Sequence, residues 1–106
     1  MTVTQEKLLH ALNNGVRLAI LEALKSGKKN VTELTDLIDA KQSNISQHLA
    51  CLRGCGLIQQ TRQGKYYYYE IVNTDIIHFL DEVTVVINSL NWTNEQTKVT
   101  CQSHMP

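Results

Sequence analysis

The stretch QSNISQHLACLRGCGLIQQTRQGKYYYYEIV, residues 42–72, changes its period halfway along. In the first half Ile45, Leu49 and Leu52 fall at i, i+4 and i+7, the spacing that lines one face of a helix. Ser43 is expected to cap this helix and Gly56 to end it. The second half alternates. "LIQQTR" and "KYYYYEIV" read as two strands joined by a tight turn at Gln63-Gly64. Alternation puts Tyr67, Tyr69 and Ile71 on one face of the second strand and Tyr66 and Tyr68 on the other.

Upstream, "TQEKLLHALNN" carries apolar residues at 8, 9 and 12, a short helix. "NGVRLAILEALKSGKKN" repeats the pattern at 16, 20, 21 and 24, between Asn14 as N-cap and Ser26-Gly27 as a stop. Asn30 followed by Glu33 forms a capping box that opens a third helix through "VTELTDLIDA". Downstream of Asn73-Thr74, helical spacing returns. Ile76, Leu80, Val83, Ile87 and Leu90 make a seam at 4-3-4-3 intervals, with further apolar residues at 77, 79, 85 and 86. That helix is apolar over more than half its circumference, so a partner helix is expected to cover it. The order is four helices, a hairpin and a last helix, a mainly α fold with a β-hairpin wing. A short helix, a tight turn and a polar-headed helix followed by a hairpin describe a winged helix-turn-helix (α-α-α-α-β-β-α), here expected as a homodimer. Residues 1–91 are read as this DNA-binding and dimerisation domain. Residues 92–106 are read as a polar, aperiodic and mobile tail that carries Cys101.

Bulk properties agree. At 106 residues the chain has length for one domain, and its 42% apolar content suits a modest core. No apolar run is long enough to span a membrane. The start "MTVTQEKLLHALNN" has no basic stretch followed by an apolar one, so no secretory signal is expected. Three cysteines, an odd number, fit a reducing cytoplasm better than a disulfide framework. Net charge is zero but unevenly spread: residues 1–72 hold nine Lys+Arg against six Asp+Glu, and residues 73–106 hold one against four. The front of the chain is therefore the half suited to phosphates. No Gly-rich phosphate loop, paired carboxylates or base beside a cysteine points to an enzyme, and no small-molecule substrate is expected.

In a helix-turn-helix, the start of the second helix touches base edges. With Ile45, Leu49 and Leu52 turned inward, Gln42, Ser43, Asn44, Ser46 and Gln47 face outward in the first turns. Short hydroxyls and amides there can donate and accept toward bases and phosphates. Arg62 and Lys65 flank the hairpin tip, where a wing meets a phosphate backbone or enters the minor groove. Taken singly, such residues would be caps and solvated surface. Their arrival in this order makes double-stranded DNA the expected partner.

"SNISQHLACLRGCGLI" followed by "RQGKYYYYEI" resembles the ArsR/SmtB family of winged-helix repressors, and the likeness runs from residue 8 to residue 90. The family's run is Ser-x-x-Ser-x-His-Leu-x-x-Leu-x-x-x-Gly-Leu, then a Gly-tipped basic wing and a Tyr-bearing strand. "VRLAILEAL" is similar to its second helix, although Gly15 stands where a Pro is usual. The resemblance implies a homodimer built on the first and last helices, bound to an imperfect inverted repeat and released by an effector. His48, which the pattern retains, is expected to orient the reading helix rather than ligate metal.

Of two metal sites known in the family, one is absent here and the other is expected at most in degraded form. A Cys-x-Cys on the third helix is replaced by Thr35 and Asp36. An Asp-x-His at the start of the last helix is stretched to Asp75 and His78, with Ser89 and Trp92 where its partners would stand. What remains is "CLRGCGL". Cys51 and Cys55 are one helical turn apart, close enough for one soft ion to bridge two thiolates, whereas a disulfide within a regular turn is strained. Free cysteines at the edge of a core are often only packing. Cys101, in a polar tail, is not explained that way, and the nine residues after Trp92 reach about 30 Å at about 3.3 Å each. "CLRGCGL" is also similar to the CmtR-type cadmium/lead sensors of this family, which implies Cys51, Cys55 and Cys101 as ligands. Three thiolates select Cd(II) or Pb(II) as effector, while Zn(II) needs a fourth ligand such as His104. The alternative is a thiol redox or persulfide sensor using the same cysteines, with Arg53 assisting.

Overall fold

The computed structural model describes residues 4–90. Five helices and three strands follow one another as α1 Gln5–Leu12, α2 Gly15–Leu24, β1 Lys29–Asn30, α3 Val31–Leu37, α4 Gln42–Gly54, β2 Ile58–Gln63, β3 Tyr66–Ile71 and α5 Thr74–Leu90. The expected winged helix-turn-helix is present, with one addition. β1 pairs antiparallel with β3, so the sheet has three strands in the order β1-β3-β2. A two-residue strand carries no alternation of its own and exists because β3 offers it a free edge. The 92–106 tail, with Trp92, Cys101 and His104, lies outside the described residues.

Most helix ends follow the local chemistry. Asn14 Oδ1 accepts from Arg17 N at 3.0 Å to start α2, and Asn30 and Glu33 form both halves of the capping box of α3. Asn73 Oδ1 accepts from Ile76 N at 3.2 Å at the head of α5. α4 departs from expectation. Its N-cap is Lys41, which makes no side-chain cap, and Ser43 lies one residue inside the helix. The chain enters α4 in extended backbone at Lys41, two residues early, so Ser43 sits inside the helix, past the position from which its hydroxyl would cap. At its other end, Gly56 takes a φ of 79°; its N–H meets the Arg53 carbonyl and the Leu57 N–H meets the Leu52 carbonyl, closing a Schellman turn.

Ile45, Leu49 and Leu52 are at most 1% exposed and form the centre of the core with Ile20, Leu21, Leu24, Leu34 and Ile58. Burying each such side chain contributes about 1.5–3 kcal/mol. The helix-turn-helix is thus welded to α2 and to the root of the wing. Along the wing, pairing runs from Ile58↔Ile71 to Gln63↔Tyr66, so the two-residue turn is Gly64-Lys65 and not Gln63-Gly64. Gly64, at φ 64°, supplies the left-handed step that the turn requires. Tyr69 and Ile71 pack on the core, while Tyr67, further out on the same face, is exposed beyond it.

α5 is different. Of its residues only Leu80 is buried, and Phe79, Val83, Val85, Val86, Ile87 and Leu90 are exposed. Together with α1 and α2 it borders an apolar groove of about 770 Å³, lined by Leu9, Leu12, Leu18, Phe79 and Val83 among others. Lys25 ties α2 to α5 through Asp81 at 2.6 Å and also holds Glu22 at 2.8 Å. No helix among the described residues is long and apolar enough to cross a membrane.

Candidate nucleic-acid interface

α4 carries two kinds of chemistry at its two ends. Gln42, Ser43, Asn44, Ser46 and Gln47 are all exposed, on the side of α4 away from its core stripe. No acidic residue stands in the first turn and no side chain caps it, so the positive end of the helix dipole is unshielded where an anion would arrive. An edge of hydroxyls and amides on a rigid, well-buried rod can hydrogen-bond to base edges, with phosphates held alongside.

The wing supplies the cations. Arg62 and Lys65 are exposed at its tip, as the sequence suggested. Arg62 lies opposite Tyr67 across the strand pair, its guanidinium 5.6 Å from the ring centre, and its Nε donates to the Gly64 carbonyl at 3.0 Å. Lys65 Nζ lies 5.7 Å from the Tyr66 ring. A third cation, Lys28, lies 5.6 Å from the Tyr68 ring. The sequence reading passed over it, although two lysines with no assigned role just before a cap were a usable signal. Each pairing restrains a long cationic side chain over an aromatic face and leaves its charge toward solvent.

The wing is also keyed to α4. Gln60 accepts from the Arg53 guanidinium through Oε1 and donates to the Tyr69 hydroxyl at 3.0 Å through Nε2. Arg53, expected beside the thiols, is therefore turned to the wing. The guanidinium near a thiol is instead that of Arg17, whose Nη1 donates to Cys51 Sγ at 3.8 Å and lies 3.4 Å from His48 Nδ1. An arginine in the first turn of a helix whose only other charged residue is Glu22 was the signal, and it was missed.

Cys51 and Cys55 are both free thiols. The Cys55 N–H donates to the Cys51 carbonyl at 3.1 Å, so the turn between them is closed and both thiols belong to one stripe. Their surroundings differ: Cys51 is exposed, while Cys55, the C-cap residue, is half-buried against the core. Two soft donors one turn apart fit a thiophilic cation as part of its shell. Among the described residues no group of three His, Cys, Asp or Glu side chains could hold a metal ion, so a third ligand would come from elsewhere. Asp75 and His78, near the start of α5, are exposed and belong to no such group.

Comparison with known proteins bears on this arrangement. A family model described as bacterial regulatory protein, arsR family, matches residues 14–60. The HTH-type transcriptional regulator CmtR of Mycobacterium tuberculosis is 35% identical over 81 residues, which cover 76% of this chain and 69% of that protein. The crystal structure of M. tuberculosis Rv0081 superposes with a TM-score of 0.76 at 30% identity, covering 81% of this chain and 87% of that one. The solution structure of Mb0332 from Mycobacterium bovis, a homodimeric winged helix-turn-helix DNA-binding domain, superposes with a TM-score of 0.71 at 26% identity over 87% of this chain and 94% of its own.

Proposed function

The chain belongs to the arsR family of bacterial regulatory proteins and is a DNA-binding transcriptional regulator of the winged-helix type, not an enzyme; on that premise we propose that it is a repressor released from its operator by Cd(II) or Pb(II) bound to Cys51, Cys55 and Cys101. The observation that carries this reading is the placement of two free thiols on the last turns of the same helix whose first turns present the DNA-reading side chains.

Gln42, Ser43, Asn44, Ser46 and Gln47 contact bases and nearby phosphates, and Arg62 and Lys65 hold the flanking backbone. A homodimer, with α1 and α5 of each copy covering the apolar groove, presents two reading helices to an imperfect inverted repeat. α4 has 13 residues and so behaves as a rod of about 20 Å. A displacement of its Cys51–Cys55 end therefore tilts the Gln42–Gln47 end relative to the bases. A bound soft cation supplies a centre that draws thiolates together. The chain's own contribution is to join those sulfurs rigidly to the reading surface. A coupling of about 1–3 kcal/mol suffices for a working switch.

An anaerobic titration of the reduced protein with Cd(II), followed by thiolate-to-metal absorption in the ultraviolet, tests the reading. We expect one ion per protomer with three-thiolate intensity, weakened in Cys101→Ser, and loss of DNA binding at the same endpoint. The exposure of Cys51 also supports a redox or persulfide sensor. The two readings part cleanly: a chelator restores DNA binding in the first and a reductant in the second. DNA binding indifferent to saturating Cd(II) would sink the metal reading.

A further inference from the structure

Arg17 projects from the first turns of α2 and is half-buried, with its guanidinium held on two sides. On one side Nε donates to the Ala11 carbonyl at 2.5 Å and Nη2 to the His10 carbonyl at 3.2 Å. On the other side Nη1 meets α4 at His48 Nδ1 and Cys51 Sγ. His10 and Ala11 lie in the last turn of α1, where a cation is favoured, and the His10 carbonyl accepts from the Asn13 N–H at 3.1 Å as well as from Arg17. Among the described residues the ion pairs are those of Lys25, and Arg17 has no carboxylate partner. Its charge is directed wholly at the end of one helix and the side of another.

A guanidinium is planar and its donors keep a fixed fork, so one edge cannot move without the other. We propose that Arg17 is a positioning residue that holds the His48–Cys51 edge of α4 to the end of α1, and that a cation or covalent adduct on the Cys51 sulfur releases it. A metal or an adduct on the Cys51 sulfur draws away electron density and so weakens its acceptance from Nη1, and a cation seated there also repels the guanidinium. This rests on the reading above that Cys51 is an effector thiol. It adds the route: an event at Cys51 reaches α1, a border of the apolar groove, through a single side chain.

The test needs no metal. In Cys55→Ser/Cys101→Ser, Cys51 is the sole thiol, and iodoacetamide converts it to the carbamidomethyl thioether as the sulfur loses its proton and displaces iodide. The readout is amide hydrogen exchange at Leu12, Asn13 and Asn14, in the α1–α2 junction, with β2 and β3 as the internal reference. We expect alkylation to speed junction exchange about three- to tenfold, the worth of a lost hydrogen bond or two, and to leave the wing unchanged. Arg17→Met in the same background is expected to be fast before alkylation and indifferent to it. Arg17→Lys, which keeps the charge but loses the fork, is expected to behave like Arg17→Met. Should Arg17→Met not fold, the alkylated and unalkylated forms with Arg17 intact still carry the comparison. Junction exchange that stays constant while mass spectrometry shows Cys51 fully alkylated would overturn the proposal. Because iodoacetamide replaces the metal, failure here is distinct from failure of the Cd(II) titration.

Discussion

α4 and α5 are both amphipathic helices that expose one face, yet they expose opposite chemistry. α4 buries Ile45, Leu49 and Leu52 almost completely in its own protomer and leaves amides and hydroxyls outside. α5, with 17 residues, buries only Leu80 and leaves valine, isoleucine, leucine and phenylalanine outside. The first helix is finished by its own chain and offers hydrogen bonds. The second is unfinished and offers apolar surface, which in water is a demand for a partner. Both helices have helical period, but in sequence α5 carries an apolar excess that α4 lacks. The rest of the domain covers the apolar stripe of α4 while leaving most of that of α5 bare.

That contrast can be broken at its strongest point. Leu49→Ala removes a side chain 1% exposed at the centre of the core, and we expect it to lower unfolding free energy by about 2–5 kcal/mol at any protein concentration. Ile87, 52% exposed on α5, should behave in the opposite way. Ile87→Asp is expected to leave the protomer folded and to raise the dimer dissociation constant by about a hundredfold, a burial cost of one unpaired charge. Sedimentation of Ile87→Asp as a dimer of unchanged affinity would show that α5 is not the covering surface.

At intermediate size, the two parts of the DNA surface should separate by their salt response. Arg62→Ala is expected to weaken binding to all sequences alike and to reduce the slope of log affinity against log salt by about one. Gln47→Ala should leave that slope alone and cost about 1–3 kcal/mol, with relaxed preference at one base pair. If both variants change the slope equally, α4 is holding phosphates rather than reading bases.

The smallest effect belongs to the α2–α5 tie. Hydrogen bonds to Asp81 and Glu22 raise the Lys25 pKa above its ordinary 10.5. A raised value in the folded state means that the contribution is complete below 10.5 and is lost as pH climbs through the higher folded value. The pair is largely solvated, so Lys25→Met should cost under about 1 kcal/mol at neutral pH. The difference from wild type should stay constant to about pH 10 and shrink above it. A difference that instead varies between pH 5 and 8 would show that carboxylate or histidine neighbours govern the tie.

The legible parts of this molecule were those written in local chemistry. The core stripe of α4, the caps Asn14 and Asn30, the stop at Gly56, the hairpin and the apolar excess of α5 each depend on residues within about one or two turns of each other. The exposure of Gln42, Ser43, Asn44, Ser46 and Gln47 and the one-turn spacing of Cys51 and Cys55 follow from the same periodicity. Tertiary structure decided what depends on distant neighbours. β1 forms only because β3 has an open edge. α4 begins at Gln42 with Lys41 as its N-cap, which leaves Ser43 inside the helix rather than at its cap. Arg53 turns to Gln60 on the wing, and Arg17, 34 positions before Cys51, becomes the cation at the thiol. Helical period can place a sulfur on a stripe, but a side chain's partner across the fold is chosen by packing, and packing is a property of the whole chain.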